Sequence, residues 1–418
     1  MEKFVTNKTE AGVLENFNVS VGVWGDFWES LVNSDDGKYA LRRSAGGPTV
    51  REISARRLVD LIAVSAWKSA EPGLIFFDQI NKYNVFAKAM GAPLRATNPC
   101  GEQSLYPYES CNLGSINLAN LVKRAADGEY EFDWQRYEET IRKATRFLDV
   151  IIDVNKYPVP EIRAASHASR RIGLGVMGVA DLLYKLRVRY DSPEGYDLQS
   201  KLAEALTYYS MEESVALAKS RGRFPLCQGT EYSEGKLPVA GYYEVPKSEH
   251  AYDWDALVEK IKRHGIRNVL TTTVAPTGTL SMIADCTNGM EPTFALVFEK
   301  RVTVGRFRYA NKSLERALKD EGLYSDDMLA RIADNYGSLR GLDGIPEWMR
   351  HTFVTAMDIH WSDHLIAQSV WQRWIGNAIA KTINMPYDAS ADDVKAAYLL
   401  AHELGLKGIT VYLSLIHI

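Results

Sequence analysis

The chain has 418 residues, of which 46% are hydrophobic and 24% charged, and its formal net charge is −4. This balance excludes a basic protein that coats nucleic acid or a membrane surface, and no apolar run approaches the ~20 residues of a membrane span. The chain contains only 4 cysteines, which excludes a secreted disulfide framework and predicts a reducing, cytoplasmic setting. No metal site is expected, because these cysteines form no Cys-x-x-Cys pair.

Alternating helical and strand-like segments indicate an α/β protein without internal repeats. Hydrophobic periodicity predicts helices, in chain order, over 55–70, 134–154, 194–220, 254–265, 356–382 and 391–404. Buried strands are predicted over 74–77 and 268–274. Asp133 and Asp253 are expected to cap the helices that follow them, since a carboxylate accepts hydrogen bonds from first-turn N–H groups. We expect one domain over 1–412 and a tail over 413–418 that is foreign to the natural protein, because the tail fits no preceding pattern.

The most informative stretch is Asn98-Pro99-Cys100-Gly101-Glu102. Proline fixes one backbone dihedral and glycine permits unusual ones, so the cysteine between them is predicted to sit on a tight loop. A thiol flanked by an amide and a carboxylate can react with, orient and deprotonate a polyol. A lone cysteine is more often a buried core residue. The Asn-x-Cys-x-Glu arrangement, followed by a second cysteine in Glu-Ser-Cys-Asn-Leu-Gly-Ser, favours a catalytic loop instead.

These two cysteine motifs together resemble the active-site loop of the adenosylcobalamin-dependent (class II) ribonucleotide reductases. The resemblance runs from about Val13 to Tyr412. Further matching segments follow in the same order: 16–21, 171–178, 275–279, 381–386 and 407–412. Several long motifs in one order are far more specific than any one of them alone.

The resemblance implies a role for each residue of the loop. Cys100 is expected to carry a thiyl radical that removes the ribose 3′ hydrogen, because S–H and C–H bonds are comparably strong. Glu102 is expected to act as general base on the 3′-hydroxyl, and Asn98 to orient the ribose hydroxyls. Cys111 is expected to supply reducing electrons by forming a disulfide with a cysteine that lies upstream of Met1.

The resemblance also implies a fold and a set of ligands. The expected fold is the ten-stranded α/β barrel of ribonucleotide reductases and glycyl-radical enzymes, here partial and without its early strands. The implied cofactor is adenosylcobalamin, and the implied substrate is a ribonucleoside di- or triphosphate. The implied partners are a thioredoxin-like reductant, a deoxynucleoside triphosphate effector bound mainly by a missing N-terminal part, and a second copy of the chain in a homodimer.

A second candidate site is Ala275-Pro276-Thr277-Gly278-Thr279. The segment follows a predicted strand and is expected to begin a helix, where free backbone N–H groups suit a phosphate. The resemblance assigns this loop to the substrate's phosphates. An ordinary strand-to-helix turn would show the same pattern, and both interpretations stay open on the residues alone.

Two other patterns are interpreted as structural. The string 173–178 matches a dinucleotide-binding fingerprint but lacks a clear preceding strand, so close backbone packing is expected. His360 and His364 have a metal-ligand spacing on a predicted helix, but without a following glutamate a surface or half-buried pair is expected.

Three rival functions remain. The first is a class I large subunit, although Val411-Tyr412 replaces that family's two adjacent tyrosines and Pro-Thr-Gly-Thr its Pro-Thr-Ala-Ser. The others are a glycyl-radical enzyme and a non-catalytic nucleotide-binding fragment.

Overall fold

The computed structural model describes residues 1–10, 12–14, 16–32, 37–43, 47–126, 128–302 and 305–413, without the side chains of 300–302 and 305–307. The strands are β1 (Ser20–Val23), β2 (Lys38–Arg42), β3 (Thr49–Ser54), β4 (Gly73–Phe76), β5 (Asn112–Asn117), β6 (Val122–Arg124), β7 (Tyr130–Phe132), β8 (Ile172–Met177), β9 (Val297–Val302), β10 (Gly305–Ala310), β11 (Thr382–Met385) and β12 (Gly408–Leu413). The α-helices are α1 (Glu2–Val5), α2 (Gly25–Val32), α3 (Ala55–Ser69), α4 (Phe77–Lys82), α5 (Ala87–Met90), α6 (Trp134–Val154), α7 (Pro160–Ser169), α8 (Val179–Lys185), α9 (Pro193–Arg221), α10 (Gly241–Glu244), α11 (Trp254–His264), α12 (Gly278–Ala284), α13 (Lys312–Asp320), α14 (Asp326–Asp334), α15 (Glu347–Thr352), α16 (Trp361–Gln372) and α17 (Ala391–Glu403).

Several strands and short extended segments form an arc. One sheet has the order β1-β4-β12-β11, with β12 antiparallel to β4 and the other pairs parallel. Just before β11, Ile379 bridges in parallel to Val274, and Thr272 bridges in the same way to Leu174 of β8, which pairs in parallel with β5. Over the described ranges the arc does not close and ten barrel strands are not seen, so the α/β class is confirmed and the ten-stranded barrel stays a prediction.

Helices pack against the arc and form the hydrophobic core together with its strands. Among the described residues, the buried apolar side chains form three clusters. The largest joins β8 to α6, α9 and α11, the second packs α3 and α17 against β4, β11 and β12, and the third lies under α13 and α14. Within those same ranges, no helix combines the length and apolarity that crossing a bilayer requires.

Most predicted helices are confirmed, and one is wrong in extent. The helix over 134–154 has the predicted bounds, and the Asp133 carboxylate accepts from the Arg136 N–H as expected. The predicted helix over 356–382 is only α16, Trp361–Gln372. Apolar residues on both sides of it follow the helical period, but Ala356 and Trp374 lie in turns and Ile379 lies in extended backbone. Leu413 lies in β12 opposite Met385, whereas the rest of the predicted tail lies outside the described residues.

Candidate active site

Cys100 sits at the tip of a tight loop. Its two arms are joined by an antiparallel bridge between Thr97 and Ser104 and by a hydrogen bond of 2.9 Å from Asn98 N–H to the Gln103 carbonyl. At the tip, the Gly101 N–H donates to the Asn98 carbonyl, and Gly101 has a φ of 80° that disfavours any side chain. The predicted tight loop is confirmed, and it holds the thiol outward from its own backbone.

The loop is anchored to the strand arc through the backbone of Glu102. The carbonyl of Glu102 accepts from the Thr273 hydroxyl at 2.8 Å and from the Ala378 N–H at 2.9 Å. Thr273 and Ala378 belong to the two neighbouring extended segments of the arc, so the loop is fixed where those segments meet. Such bonds to rigid strands limit the movement of a reactive side chain.

The Glu102 carboxyl group is buried beside the thiol. Only 2% of Glu102 is exposed, and its Oε2 atom has no hydrogen-bond partner among the described residues. Burial and the charge of Glu102 both raise the pKa of the Cys100 thiol. A carboxylate with an unused lone pair next to a thiol that keeps its proton is suited to accept a proton from a third group placed between them.

Asn98 uses only one end of its side-chain amide within the loop. The Oδ1 atom accepts from the Gln103 N–H at 2.9 Å. No acceptor contacts the Nδ2 atom within the part of the chain that the structure describes. The amide is therefore fixed in orientation and still presents two N–H donors, which is the polarity that a hydroxyl oxygen requires.

Cys111 lies immediately before β5, and its half-buried thiol forms no disulfide among the described residues but donates to the Asn112 carbonyl at 3.5 Å. Burial raises the pKa of this thiol, as do the charges of Glu109 and Glu102, whereas the charge of Arg171 lowers it. The same Glu102 carboxylate thus acts on both Cys100 and Cys111. The structure places the two cysteine motifs in one electrostatic environment.

A large cleft opens beside the loop. Its volume is about 1360 Å³, and its walls include Cys100, Pro276, Lys381 and Tyr412. Typical small-molecule sites occupy roughly 300–1,000 Å³, so the cleft has room for a large ligand or for two ligands together. Although Cys100 is exposed, it is exposed to this cleft.

The turn before α12 borders the same cleft. Pro276 lines it on one side of the turn, and Ser281 and Met282 line it on the other. Thr277 has a φ of 53°, and its hydroxyl accepts from the Gly289 N–H at 2.7 Å, so this hydroxyl oxygen serves the fold. Ala275 is buried in the approach to the turn, whereas Gly278 and Thr279 are exposed at the helix start.

The glycine string over 173–178 serves packing, as predicted. Gly173 and Gly175 lie in β8 itself, and Gly178 follows the strand, with a φ of 74°, where α8 begins. A Cβ atom on Gly175 would lie 2.4 Å from the Thr273 carbonyl oxygen. A Cβ atom on Gly173 would lie 2.6 Å from the side-chain Nε2 atom of Gln103. The small residues therefore let the cysteine loop and the next extended segment lie directly against β8.

The sequence as a whole matches a known protein family. A model of the family described as "Ribonucleotide reductase, barrel domain" matches residues 1–412. The chain belongs to this family. It is similar to the Vitamin B12-dependent ribonucleoside-diphosphate reductases of Thermoplasma acidophilum, with 41% identity over 99% of the chain, and Mycobacterium tuberculosis (strain H37Rv), with 39% over 98%. It is also 33% identical, over 87% of its length, to the Ribonucleoside-diphosphate reductase subunit alpha of Chlamydia trachomatis.

These matches cover 49% of the Thermoplasma protein and 53% of the Mycobacterium protein. The chain therefore spans about half the length of these curated relatives. The family resemblance drawn from the cysteine motifs is confirmed.

His360 and His364 occupy structural positions. His360 is exposed and precedes α16, where its Nδ1 atom contacts the Ser362 hydroxyl at 2.7 Å. His364 is fully buried, not half-buried as expected, and its Nε2 atom lies 3.0 Å from the Ala356 carbonyl oxygen. Its Nδ1 atom lies 3.1 Å from Lys381 Nζ.

Three buried cations were missed from the sequence. Arg171, Lys381 and Lys407 each immediately precede a strand of the arc, namely β8, β11 and β12. Lys381 pairs with Glu291 on the cleft wall at 2.5 Å, and Lys407 donates to the carbonyls of Gly376 and Asn377. Burial lowers the pKa of Lys407 to about 7. A lysine or arginine directly before a short strand-like segment is the sequence pattern that could have indicated these three residues.

Proposed function

We propose that the chain is the catalytic core of an adenosylcobalamin-dependent ribonucleotide reductase that makes 2′-deoxyribonucleotides from ribonucleoside di- or triphosphates. The observation that carries the proposal is the Cys100 thiol on the wall of a large cleft, with the buried Glu102 carboxylate close enough to raise its pKa. A non-catalytic nucleotide-binding fragment would have no use for a buried carboxylate with an unpartnered oxygen, because burying such a group is costly.

We assign the loop residues the roles that the family resemblance implies. Cys100, as a thiyl radical, removes the 3′ hydrogen of the ribose and later returns it. Glu102 accepts the 3′-hydroxyl proton on its free oxygen, and Asn98 donates from Nδ2 to a ribose hydroxyl. Loss of the 2′-hydroxyl as water leaves a sugar that needs two electrons, which Cys111 and a second cysteine supply as they form a disulfide.

The cleft fits a cofactor of the proposed size. Its volume of about 1360 Å³ exceeds that of an ordinary small-molecule site, and aromatic side chains such as Phe294, Phe298 and Tyr412 line it. Adenosylcobalamin, when bound there, supplies the one-electron oxidation that turns the Cys100 thiol into a thiyl radical. The chain's own contribution is the fixed position of Cys100, tied to the arc through Glu102.

We propose the turn over 275–279 as the phosphate end of the substrate site. Gly278 and Thr279 are exposed where α12 begins, next to cleft-lining Pro276. A Cβ on Gly278 would meet nothing within 4 Å, so open space lies where a phosphate would approach. Gly278→Val is expected to weaken binding of a ribonucleoside diphosphate in equilibrium dialysis, whereas Gly278→Ala retains most of it. Unchanged affinity in the valine variant would remove the assignment.

A class I large subunit is the main rival function. The relatives named Vitamin B12-dependent match with 41% and 39% identity over nearly the whole chain, whereas the Chlamydia subunit alpha matches with 33% over 87%. Tyr412 follows Val411 rather than a second tyrosine, and it lines the cleft with its ring 6.3 Å from that of Phe294. Both observations favour the adenosylcobalamin-dependent class.

The remaining assignments belong to the same proposal. Residues 1–412 form one catalytic domain that contributes strands to a ten-stranded barrel. The reductant is a thioredoxin-like dithiol, which suits a cytoplasmic chain whose 4 cysteines are all free. A deoxynucleoside triphosphate effector and a second copy of the chain complete the proposed set of partners.

The test uses a polypeptide of the relatives' length that contains this chain. Deoxyribonucleotide formation is measured with a dithiol and either adenosylcobalamin or a metal-loaded small subunit. Product that depends on adenosylcobalamin, and a large loss of kcat in Glu102→Gln, are expected. Glu102→Asp, which keeps the carboxylate, serves as the matched control. Product that requires the small subunit instead would support the class I rival.

A further inference from the structure

A buried ion pair stands beside the proposed reducing cysteine. Arg171 donates to Glu109 Oε2 at 3.0 Å, and the side chains of both residues are almost fully buried, at 0% and 2% exposure. Arg171 also donates to Asn377 Oδ1 at 3.0 Å. Two polar atoms of the pair, Arg171 Nε and Glu109 Oε1, have no partner among the described residues.

The sheet register places this pair next to Cys111. Strands β5 and β8 are parallel, with Asn112 opposite Ile172, so Cys111 and Arg171 are the residues that immediately precede this paired position. Glu109 precedes Cys111 by one intervening residue, and its Oε2 atom also accepts from the Tyr106 N–H at 2.9 Å, which fixes the turn that delivers the cysteine. The ion pair thus joins the two chain segments that lead into β5 and β8, on either side of the position of Cys111.

We propose that the Arg171–Glu109 pair sets the reactivity of the Cys111 sulfur, with Arg171 favouring the thiolate and Glu109 opposing it. Both are positioning residues that act through Cys111. The charges acting on this sulfur within the described part of the chain are those of Arg171, immediately before β8, Glu109 on the loop that carries Cys111, and Glu102 on the Cys100 loop. Without Arg171, the two carboxylates would act on the thiol unopposed.

The inference rests on the proposed role of Cys111 and concerns its regeneration. An external dithiol attacks the partner sulfur of the Cys111 disulfide as a thiolate, and a new S–S bond forms as the old one breaks. The Cys111 sulfur leaves with the bonding electron pair, and the second thiol of the reductant then releases the partner cysteine. Two electrons and two protons pass from the dithiol to the two cysteines. Arg171 stabilises the leaving Cys111 thiolate, which speeds the exchange.

The experiment isolates Cys111 in the chain as it stands, with Cys100→Ser, Cys227→Ala and Cys286→Ser in the background. The alkylation rate with iodoacetamide is measured against pH, because below the thiol's pKa this rate follows the thiolate fraction. Arg171→Met is expected to slow alkylation at pH 8 by about tenfold, the effect of one pKa unit, and Arg171→Lys is expected to restore most of the rate. Glu109→Gln, which keeps an acceptor oxygen, is expected to speed it.

Opposite effects of the two neutral variants are decisive. If the ion pair were only structural, Arg171→Met and Glu109→Gln would change the alkylation rate in the same direction, because either variant would loosen the loop and expose the thiol. That result, or an unchanged rate in Glu109→Gln, would overturn the proposal. If Arg171→Met fails to show the wild-type melting transition, Arg171→Lys and Glu109→Gln carry the comparison. The assay contains no nucleotide, so its failure is separate from failure of the proposed function.

Discussion

The hydroxyl of Thr273 donates a hydrogen bond of 2.8 Å to the backbone carbonyl of Glu102. This bond joins the loop that carries Cys100 to the strand arc, and the same hydroxyl lies 2.9 Å from the Ala378 carbonyl oxygen. The position of the reactive thiol is thus set by a buried threonine in a neighbouring segment.

Thr273→Val is expected to loosen this loop. The change keeps the shape of the side chain and removes the hydroxyl, which should lower the free energy of unfolding by about 1 kcal/mol. Urea denaturation measures this loss, and alkylation of Cys100 should become faster as the loop moves more freely. Thr273→Ser keeps the hydroxyl and serves as the control. A valine variant as stable as the serine variant, with an unchanged alkylation rate, would contradict the anchoring role.

Gly175→Ala and Gly278→Ala should differ sharply in stability. The new Cβ at 175 would lie 2.4 Å from the Thr273 carbonyl oxygen, a backbone atom, whereas the new Cβ at 278 meets nothing within 4 Å. Overpacking at Gly175 should lower the free energy of unfolding by about 1–3 kcal/mol or more. Gly278→Ala should change it by less than about 1 kcal/mol. Equal melting temperatures of the two variants would refute the packing role of Gly175.

The ion pair between Lys381 and Glu291 should be costly to break from one side. Glu291 also accepts from the Thr382 N–H at 2.7 Å, so it ties β11 to the cleft wall. Glu291→Gln leaves a buried ammonium group without its counter-charge and should lower the free energy of unfolding by about 3–5 kcal/mol. Adding Lys381→Met should recover part of this loss in chemical denaturation. If Lys381→Met lowers the free energy of unfolding by the same amount in the Glu291→Gln protein as in the unmodified protein, the two residues are not coupled.

Acid should destabilise the chain through His364. Burial lowers the pKa of His364 well below its ordinary value, and the charges of Lys381 and His360 act in the same direction. The unfolded chain binds a proton near pH 6.5 that the folded chain does not, so this contribution to stability is complete above pH ~6.5. Below that pH, the free energy of unfolding should fall by up to about 1.4 kcal/mol per pH unit.

Urea denaturation at several pH values tests this prediction. His364→Gln, whose amide N–H can still donate to the Ala356 carbonyl, should make the free energy of unfolding depend less on pH between about 7.5 and 5.5. This range extends about one unit on either side of the ordinary histidine pKa. His360→Gln, at an exposed position, should retain this pH dependence. An unchanged pH dependence in His364→Gln would assign the acid sensitivity to other groups.

Local patterns in the sequence predicted the long helices well, whereas the predicted strand over 268–274 was wrong, because this segment forms only isolated bridges at Thr272 and Val274. Helix α6 was predictable because Asp133 caps it and its apolar residues follow the helical period. The tight Cys100 loop followed from Pro99 and Gly101, whose backbone preferences act within a few residues. The overextended helix around α16 shows the limit, because Ile379 fits a helical stripe but its backbone bridges to Val274, far away in the chain.

The supporting charges could not be predicted in the same way. Arg171 pairs with Glu109, and Lys381 with Glu291, across separations of 62 and 90 residues. Only the fold decides which carboxylate meets which cation. The candidate catalytic loop was recognisable because its residues are contiguous in the sequence, whereas the residues that support it, such as Thr273 and Ala378, lie in distant segments of the chain.

We propose Cys100 as the residue that removes the 3′ hydrogen of the ribose. The most direct test of this proposal is deoxyribonucleotide formation by Cys100→Ser, in a polypeptide of the relatives' length that contains this chain, with adenosylcobalamin and a dithiol. The unmodified protein should form product, and a substrate deuterated at the ribose 3′ position should react more slowly if removal of this hydrogen limits the rate. Cys100→Ser should form no product above background while it still binds the nucleotide, because a hydroxyl cannot replace the thiol in hydrogen abstraction. Sustained product formation by Cys100→Ser would contradict the account.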